Sequence, residues 1–255
     1  MEEKTIFIFD MDDTLVKTPK LEDVIQIKNG KVSSGDQGID TAMQKMLKSI
    51  SEVLSNEEDE KNRMKQLAGI GNDAFFVKEN DDIVLYFNGK PIDKGVLLNA
   101  VQNSSLTPKE KTKILNSLDY KDGKIVLSFF GEFFSTESTV GTEINKDVVD
   151  VYEKVKNKMI VTGRSQGIKK GVSYILFNII GLSEPNFGLH LYDGCNIGKV
   201  PGFKADVIIQ SIKENGWNEV HFYEDRLDWL NFVEGIVRIE FPDVKFHKHF
   251  VDSVK

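Results

Sequence analysis

Residues 5–14 read Thr5-Ile6-Phe7-Ile8-Phe9-Asp10-Met11-Asp12-Asp13-Thr14, and this short stretch decides the fold class. Its first half is an unbroken run of apolar, β-branched and aromatic residues, which suits a strand buried on both faces of a parallel sheet. The run then stops on three carboxylates, Asp10, Asp12 and Asp13. A buried strand that ends in acids delivers them to the carboxyl edge of a sheet, where open α/β sheets bind their ligands.

The same grammar returns late in the chain. After an N-cap candidate at Asn145, residues Val148, Val151, Tyr152 and Val155 keep helical spacing over 147–158. Met159-Ile160-Val161 reads as a strand ending in Thr162-Gly163-Arg164, and a helix follows from about Gln166 to Ile180, closed by Gly181. Leu189-His190-Leu191 is a third strand. Lys204 to Asn215 is a helix closed by Gly216, and Val220 to Tyr223 is a fourth strand ending in Glu224-Asp225. A helix over Arg226–Val233 and a fifth strand over Ile236–Ile239 complete the pattern. Alternating strands and helices imply an α/β protein with a doubly wound parallel sheet.

Between these segments the pattern changes. Ile39 to Leu54 is amphipathic, and Glu57 to Leu67 is a charged helix candidate. Ile83–Phe87 and Lys90–Ile92 flank Asn88-Gly89, a β-hairpin signal. Thr107-Pro108-Lys109-Glu110 is a capping box with proline in the first turn, opening a helix to about Leu118, and Ile125 to Phe134 reads as a strand. That is too much regular structure for a loop. Residues 17–143 are therefore expected to form an inserted α+β domain. The catalytic core is then 1–16 with 144–255. The insertion's size suggests a cap over the site; a lateral decoration is the alternative.

The chain has 255 residues, 40% hydrophobic and 29% charged, with a net charge of −7. These are ordinary values for a globular protein. The acidic balance argues against a protein that coats duplex DNA by phosphate neutralisation, although a local basic groove stays compatible with it. One cysteine, Cys195, precludes an internal disulfide and suggests a reducing compartment. With no signal-like or membrane-length apolar stretch, a cytoplasmic protein without membrane association is expected. Oligomeric state is not legible.

The strand-end residues form a chemically coherent set. A phosphate ester repels anionic nucleophiles, so a carboxylate that attacks phosphorus needs cations beside it. Asp10 and Asp12 can face one pocket, one as nucleophile and the other as acid/base. Mg²⁺ prefers oxygen ligands; Asp10 and Asp12, with Glu224 and Asp225 arriving from the fourth strand, supply them. Thr162 offers a hydroxyl and Gly163 a backbone N–H to a phosphoryl oxygen. Lys204 can neutralise phosphoryl group and nucleophile together. Arg164 and Arg226 can fork onto a phosphate or pair with a nearby carboxylate.

In order and placement these motifs resemble the haloacid dehalogenase superfamily. Phe9 to Leu15 is similar to its DxDxT first motif, Val161-Thr162 to the second, Lys204 to the third and Tyr223-Glu224-Asp225 to the acidic fourth. Asp13 stands where that motif often has glycine. The likeness covers the first fifteen residues and Asn145 onward, about half the chain. It implies a Rossmannoid core and Mg²⁺-dependent phosphomonoester hydrolysis through an aspartyl-phosphate on Asp10. A narrower resemblance, carried by Thr162-Gly163-Arg164, Phe203-Lys204 and Glu224-Asp225-Arg226, is to the Swiss Army Knife RNA-repair-like group and to the 3′-phosphatase domains of phage polynucleotide kinase-phosphatases. It implies a phosphorylated nucleic-acid or nucleotide end as substrate. The long insertion departs from that group, as does Asp228, where a histidine often follows.

Other readings stay open. The same residues also read as a noncatalytic scaffold on the same fold, or as a small-metabolite phosphatase. His247 and His249 share a strand face but lack a third ligand nearby in sequence, and surface positions explain them. Asp228 reads as a solvated helix acid. Gly69-Ile70-Gly71 lacks the setting of a nucleotide-binding loop, and Phe129, Phe130, Phe133 and Phe134 read as core residues.

Overall fold

The apolar run becomes β1 (Thr5–Phe9), with Ile6 and Ile8 packed into one cluster of buried side chains and Phe7 and Phe9 facing another. Alternation at period two thus covers both faces of the strand. The computed structural model describes residues 4–19, 24–28, 31–33, 37–57, 73–80, 82–128, 139–194 and 197–252. Most of the expected charged helix beyond residue 57, Gly69–Gly71, the four phenylalanines at 129–134 and Cys195 lie outside the described residues. The chain forms two compact units, residues 1–19 with 137–255, and residues 20–136.

Past Phe9 the chain turns on Asp13, whose φ of 53° is left-handed and whose carboxylate accepts the Thr18 N–H at 2.9 Å. An aspartate tolerates that region because its short side chain bonds the local backbone. The outgoing strand end is then stitched to the returning chain. Lys17 N–H donates to Glu143 O at 2.7 Å, Asn145 N–H to Leu15 O at 2.9 Å, and Lys17 pairs with Glu143.

The unit of residues 20–136 has its own core, including Met43, Ile50, Phe76, Leu85, Leu97, Val101 and Ile125. It begins with an antiparallel pair, β2 (Gln26–Lys28) and β3 (Lys31–Ser33), followed by α1 (Gln37–Glu57). β4 (Ala74–Glu79), β5 (Asp82–Phe87) and β6 (Lys90–Pro91) form successive hairpins. Asn88 and Gly89 both take positive φ, as the Asn-Gly turn requires. α2 (Lys94–Asn103) starts at Asp93, whose carboxylate accepts from Gly95 and Val96 N–H. α3 (Pro108–Asn116) carries the full capping box of Thr107 and Glu110. β7 (Leu118–Lys121) and β8 (Lys124–Leu127) turn on Asp122-Gly123, and the antiparallel order is β4-β5-β8-β7. The expected strand from Ile125 is thus described only as far as Leu127.

In the first unit, α4 (Lys146–Lys154) leads to β9 (Lys158–Ser165), which runs through Thr162-Gly163-Arg164 instead of stopping before them. The expected helix to Ile180 has three windings. A 3₁₀ turn at Gln166–Ile168 precedes α5 (Lys169–Tyr174) and a π turn at Ile175–Ile179; Gly181 closes it with φ 84°. β10 (Leu189–Tyr192), α6 (Val200–Asn215), β11 (Glu219–Glu224), α7 (Leu227–Glu240) and β12 (Lys245–Phe250) follow. The sheet is parallel throughout, ordered β10-β9-β1-β11-β12. Ile236–Ile239 is not the fifth strand. It belongs to α7, where Leu230, Val233 and Val237 bury a helical stripe. The fifth strand is Lys245–Phe250, missed because only Phe246 in it is buried. Among the described residues, no helix is long and apolar enough to cross a membrane.

Gly141 is fixed by close approach, since a Cβ there would lie 1.8 Å from the Lys17 carbonyl oxygen. Gly141→Ala is expected to destabilise the protein by about 1–3 kcal/mol in urea unfolding; an unchanged midpoint would show that the two crossings part without cost.

Candidate functional site

Asp10 extends β1 by one residue, its N–H donating to Tyr223 O at 2.9 Å. The strand ladder thereby fixes the backbone that carries its carboxylate. β11 ends beside it on Glu224, with Asp225 next. From the helix side, Lys204 reaches in with its ammonium 2.7 Å from Asp10 Oδ1 and 2.6 Å from Glu224 Oε2. Lys204 and Glu224 are wholly inaccessible, and Asp10 nearly so. Lys204 does not open its helix as the sequence suggested. α6 begins at Val200, with Pro201 in its first turn where a missing N–H does no harm, so Lys204 lies one turn inside.

Oxygens of Asp10, Glu224 and Asp225 lie within 4.8 Å of one another, an arrangement that could hold a metal ion. Fully ionised, these three carboxylates face one ammonium, a formal deficit of two positive charges. Burial, then the Glu224 charge, pushes Asp10 up to about 8. Burial also raises Glu224 to about 7 and, with help from Asp10, Asp225 to about 6. Burial acts against charged Lys204, yet Asp10 and Glu224 outweigh it and its proton is held more tightly than usual. Burial raises the acids and the neighbouring carboxylates raise the lysine, so acids and lysine shift in one direction. A divalent cation fits this donor set and its charge.

Asp12 sits in a second, adjoining cluster. Arg164, fully buried, donates from Nε to Asp12 Oδ2 at 3.0 Å and from Nη2 to Oδ1 at 2.6 Å, a forked pair. Its outer nitrogens also bond Thr139, Nη1 to the hydroxyl at 2.6 Å and Nη2 to the carbonyl at 2.9 Å. Of the two roles open to Arg164, the structure therefore has the carboxylate pair and not a fork directed at a phosphate. Asp12 is likewise engaged here and stands outside the metal-capable group. Thr162 Oγ1 accepts the Arg164 N–H at 3.1 Å and lies 3.5 Å from Asp12 Oδ2. Gly163 lets β9 approach α6, since a Cβ would come 3.1 Å from Val200 Cγ1.

No family model, curated protein or solved structure matches the chain. The site therefore rests on its own geometry. Three contributors were not singled out from sequence. Thr18 donates to Asp12 Oδ1 at 3.0 Å and Thr139 braces Arg164, yet both were assigned to the insertion and carry no local signal. Trp229 lies under the Arg226 guanidinium at 4.2 Å and near Lys204 Nζ at 4.9 Å. Arg226 is also paired with Asp228 at 2.9 Å.

Two outcomes test this picture. Arg164→Met strips a buried carboxylate of its partner and is expected to cost about 3–5 kcal/mol in denaturant unfolding. Asp12→Asn in that background is expected to recover part of the loss, and no recovery would mean the fork is not what Arg164 supplies. The second outcome concerns pH. Carboxylates raised in the folded state give stability that is complete below the ordinary range near pH 4 and lost as pH rises through about 6 to 8. A divalent cation competes with those protons, so its stabilising effect on melting temperature is expected to be small near about pH 5 and to grow towards about pH 8. A pH-independent effect would place the ion elsewhere.

Proposed function

We propose that the chain is a Mg²⁺-dependent phosphohydrolase of the haloacid dehalogenase type, acting on phosphomonoesters through an aspartyl-phosphate on Asp10. The observation that carries this reading is the buried Asp10–Lys204–Glu224 triad at the ends of β1 and β11, with Asp225 completing a cation-sized acidic group. A structural ion pair needs one acid and one base. Three desolvated carboxylates around one lysine cost stability unless a cation completes the charge balance.

In the first half-reaction the Asp10 carboxylate attacks phosphorus, the bond to the ester oxygen breaks, and Asp12, which must enter this step protonated, gives that oxygen its proton. In the second, Asp12 takes a proton from water as its oxygen attacks phosphorus, releasing phosphate and restoring Asp10. Lys204 holds Asp10 in place and offsets charge on the phosphoryl oxygens. Asp10, Glu224 and Asp225 would hold Mg²⁺, which when bound supplies positive charge beside the phosphoryl group. The Arg164 fork fixes the rotamer of Asp12, and Thr162 and Gly163 remain the candidates for phosphoryl oxygen contacts. The parallel sheet is read as a doubly wound Rossmannoid core and residues 20–136 as a cap-like domain that sets substrate choice. Phosphorylated nucleic-acid or nucleotide ends are favoured over small metabolites on motif resemblance alone.

The test is steady-state hydrolysis of p-nitrophenyl phosphate with Mg²⁺. Asp10→Asn keeps the shape but removes the nucleophile, and kcat is expected to fall by at least about a thousandfold. Undiminished activity in the variant would remove Asp10 from its role. If the wild type ignores this ester, a nucleoside 3′-phosphate, a 3′-phosphorylated oligonucleotide and a hexose phosphate come next. Mg²⁺ binding with no turnover on any of them would favour the scaffold reading.

A further inference from the structure

Three of the chain's four histidines gather on one face of β11 and β12, away from the acidic site. Parallel register sets His221 beside His247 and Tyr223 beside His249, and Glu219 occupies the same face two residues before His221. α6 and α7 pack the opposite face, against Val220, Phe222 and Phe246. Glu224 lies five positions beyond Glu219 along β11, about 16 Å of strand. The histidine face is thus independent of the phosphohydrolase reading.

From this geometry we infer that Glu219, His221 and His247 form a binding site for a zinc-class divalent transition metal. Glu219 Oε1 lies 2.8 Å from His247 Nε2 and 3.5 Å from His221 Nε2, and the three donor atoms fall within 4.8 Å of one another. Tetrahedral zinc with bonds of about 2.0–2.1 Å holds its ligand atoms about 3.3 Å apart, so both carboxylate–imidazole edges already approach the needed spacing. The two rings are stacked, 4.4 Å apart and 13° from parallel. Rotation about χ2, a torsion that is soft in histidine, would aim both lone pairs at a common ion. Two imidazoles and one carboxylate favour zinc, cobalt, nickel or copper over Mg²⁺ or Ca²⁺, which prefer all-oxygen shells.

The surroundings of the three ligands are those that a metal site needs. His221 Nδ1 lies 2.9 Å from His249 Nε2. In the tautomer that donates from Nδ1, the other His221 nitrogen keeps its lone pair turned to the Glu219 side. Thr5 Oγ1 donates to Glu219 Oε2 at 3.2 Å, which orients the carboxylate and leaves Oε1 for the ion. His221 is further sandwiched by Phe7 at 4.5 Å, so its plane is supported from both sides. His247 is 44% exposed at its side chain, which provides an entry path and an open position for water. A plain ion pair would employ one histidine, whereas here Glu219 faces two and a third aligns one of them.

Isothermal titration of the full chain with ZnCl₂, in excess MgCl₂ to occupy the acidic site, tests the inference. The wild type is expected to bind one Zn²⁺ per chain, and Co²⁺ under the same conditions to give the visible absorption of a four-coordinate ion. His247→Ala and Glu219→Gln are expected to abolish saturable binding while far-ultraviolet circular dichroism stays unchanged. His247 is exposed enough for its loss to be tolerated. His249→Ala, which removes only the aligning contact, is expected to weaken binding by about 10- to 100-fold. Absence of Zn²⁺ binding in the wild type would overturn the site, as would unchanged stoichiometry and affinity in His247→Ala and Glu219→Gln. Loss of Zn²⁺ binding leaves the Mg²⁺-dependent hydrolysis as a separate readout, so the two readings fail independently.

Discussion

The buried ammonium of Lys204 between Asp10 and Glu224 is the constraint on which the parallel-sheet unit of this molecule depends. An isolated charge in so dry a place would cost several kcal/mol, and the two short bonds on either side offset it only because three elements converge there. β1 brings Asp10, β11 brings Glu224, and α6 brings the lysine from one turn inside its start. Moving any one of them leaves a buried charge without its partner. The local charge balance is still negative, and that residual demand for positive charge is what makes the cluster chemically interesting.

Arg164 solves a similar problem for Asp12. Its guanidinium closes a fork on the carboxylate and anchors itself to both the hydroxyl and the carbonyl of Thr139. Thr139 lies on the chain segment returning from residues 20–136, and Thr18 on the segment leaving for them. The outgoing crossing thereby contacts the acid that is proposed to move protons directly, and the returning one reaches it through Arg164. Gly141 permits the close approach of those crossings, and the Lys17–Glu143 and Asn145–Leu15 hydrogen bonds hold it. The geometry of Asp12 is therefore set by these two segments of the first unit as much as by the sheet.

The two faces of β11 carry different chemistry because a strand alternates its side chains. Glu224 turns towards α6, while Glu219, His221 and Tyr223 point the other way. Phe7, His221 and His247 stack in sequence across three strands, and Phe9, Tyr223 and His249 do the same one pleat along. Such a ladder satisfies flat rings that lack a full helical cover, and it leaves nitrogen lone pairs and a carboxylate at one edge.

Much of this protein was legible without coordinates. Apolar runs ending in acids, helices stopped by Gly181 and Gly216, the Asn88-Gly89 turn and the Thr107 capping box are all local statements, written within a few residues. The Asp122-Gly123 hairpin and the Asp93 helix cap were equally local and went unread. The fifth strand was misplaced because Lys245–Phe250 buries one side chain, whereas the neighbouring helix offers a longer apolar stripe. Which partner a charged side chain takes is a different kind of fact. Arg164 on Asp12, Thr139 on Arg164, and His221 with Glu219 beside His247 join residues that are distant in the chain or silent in pattern. Local sequence determines where strands and helices begin and end, since backbone dihedrals and periodic burial are decided by neighbours. Only tertiary structure decides how buried charges are paired, because that depends on which strand edges the parallel order brings together.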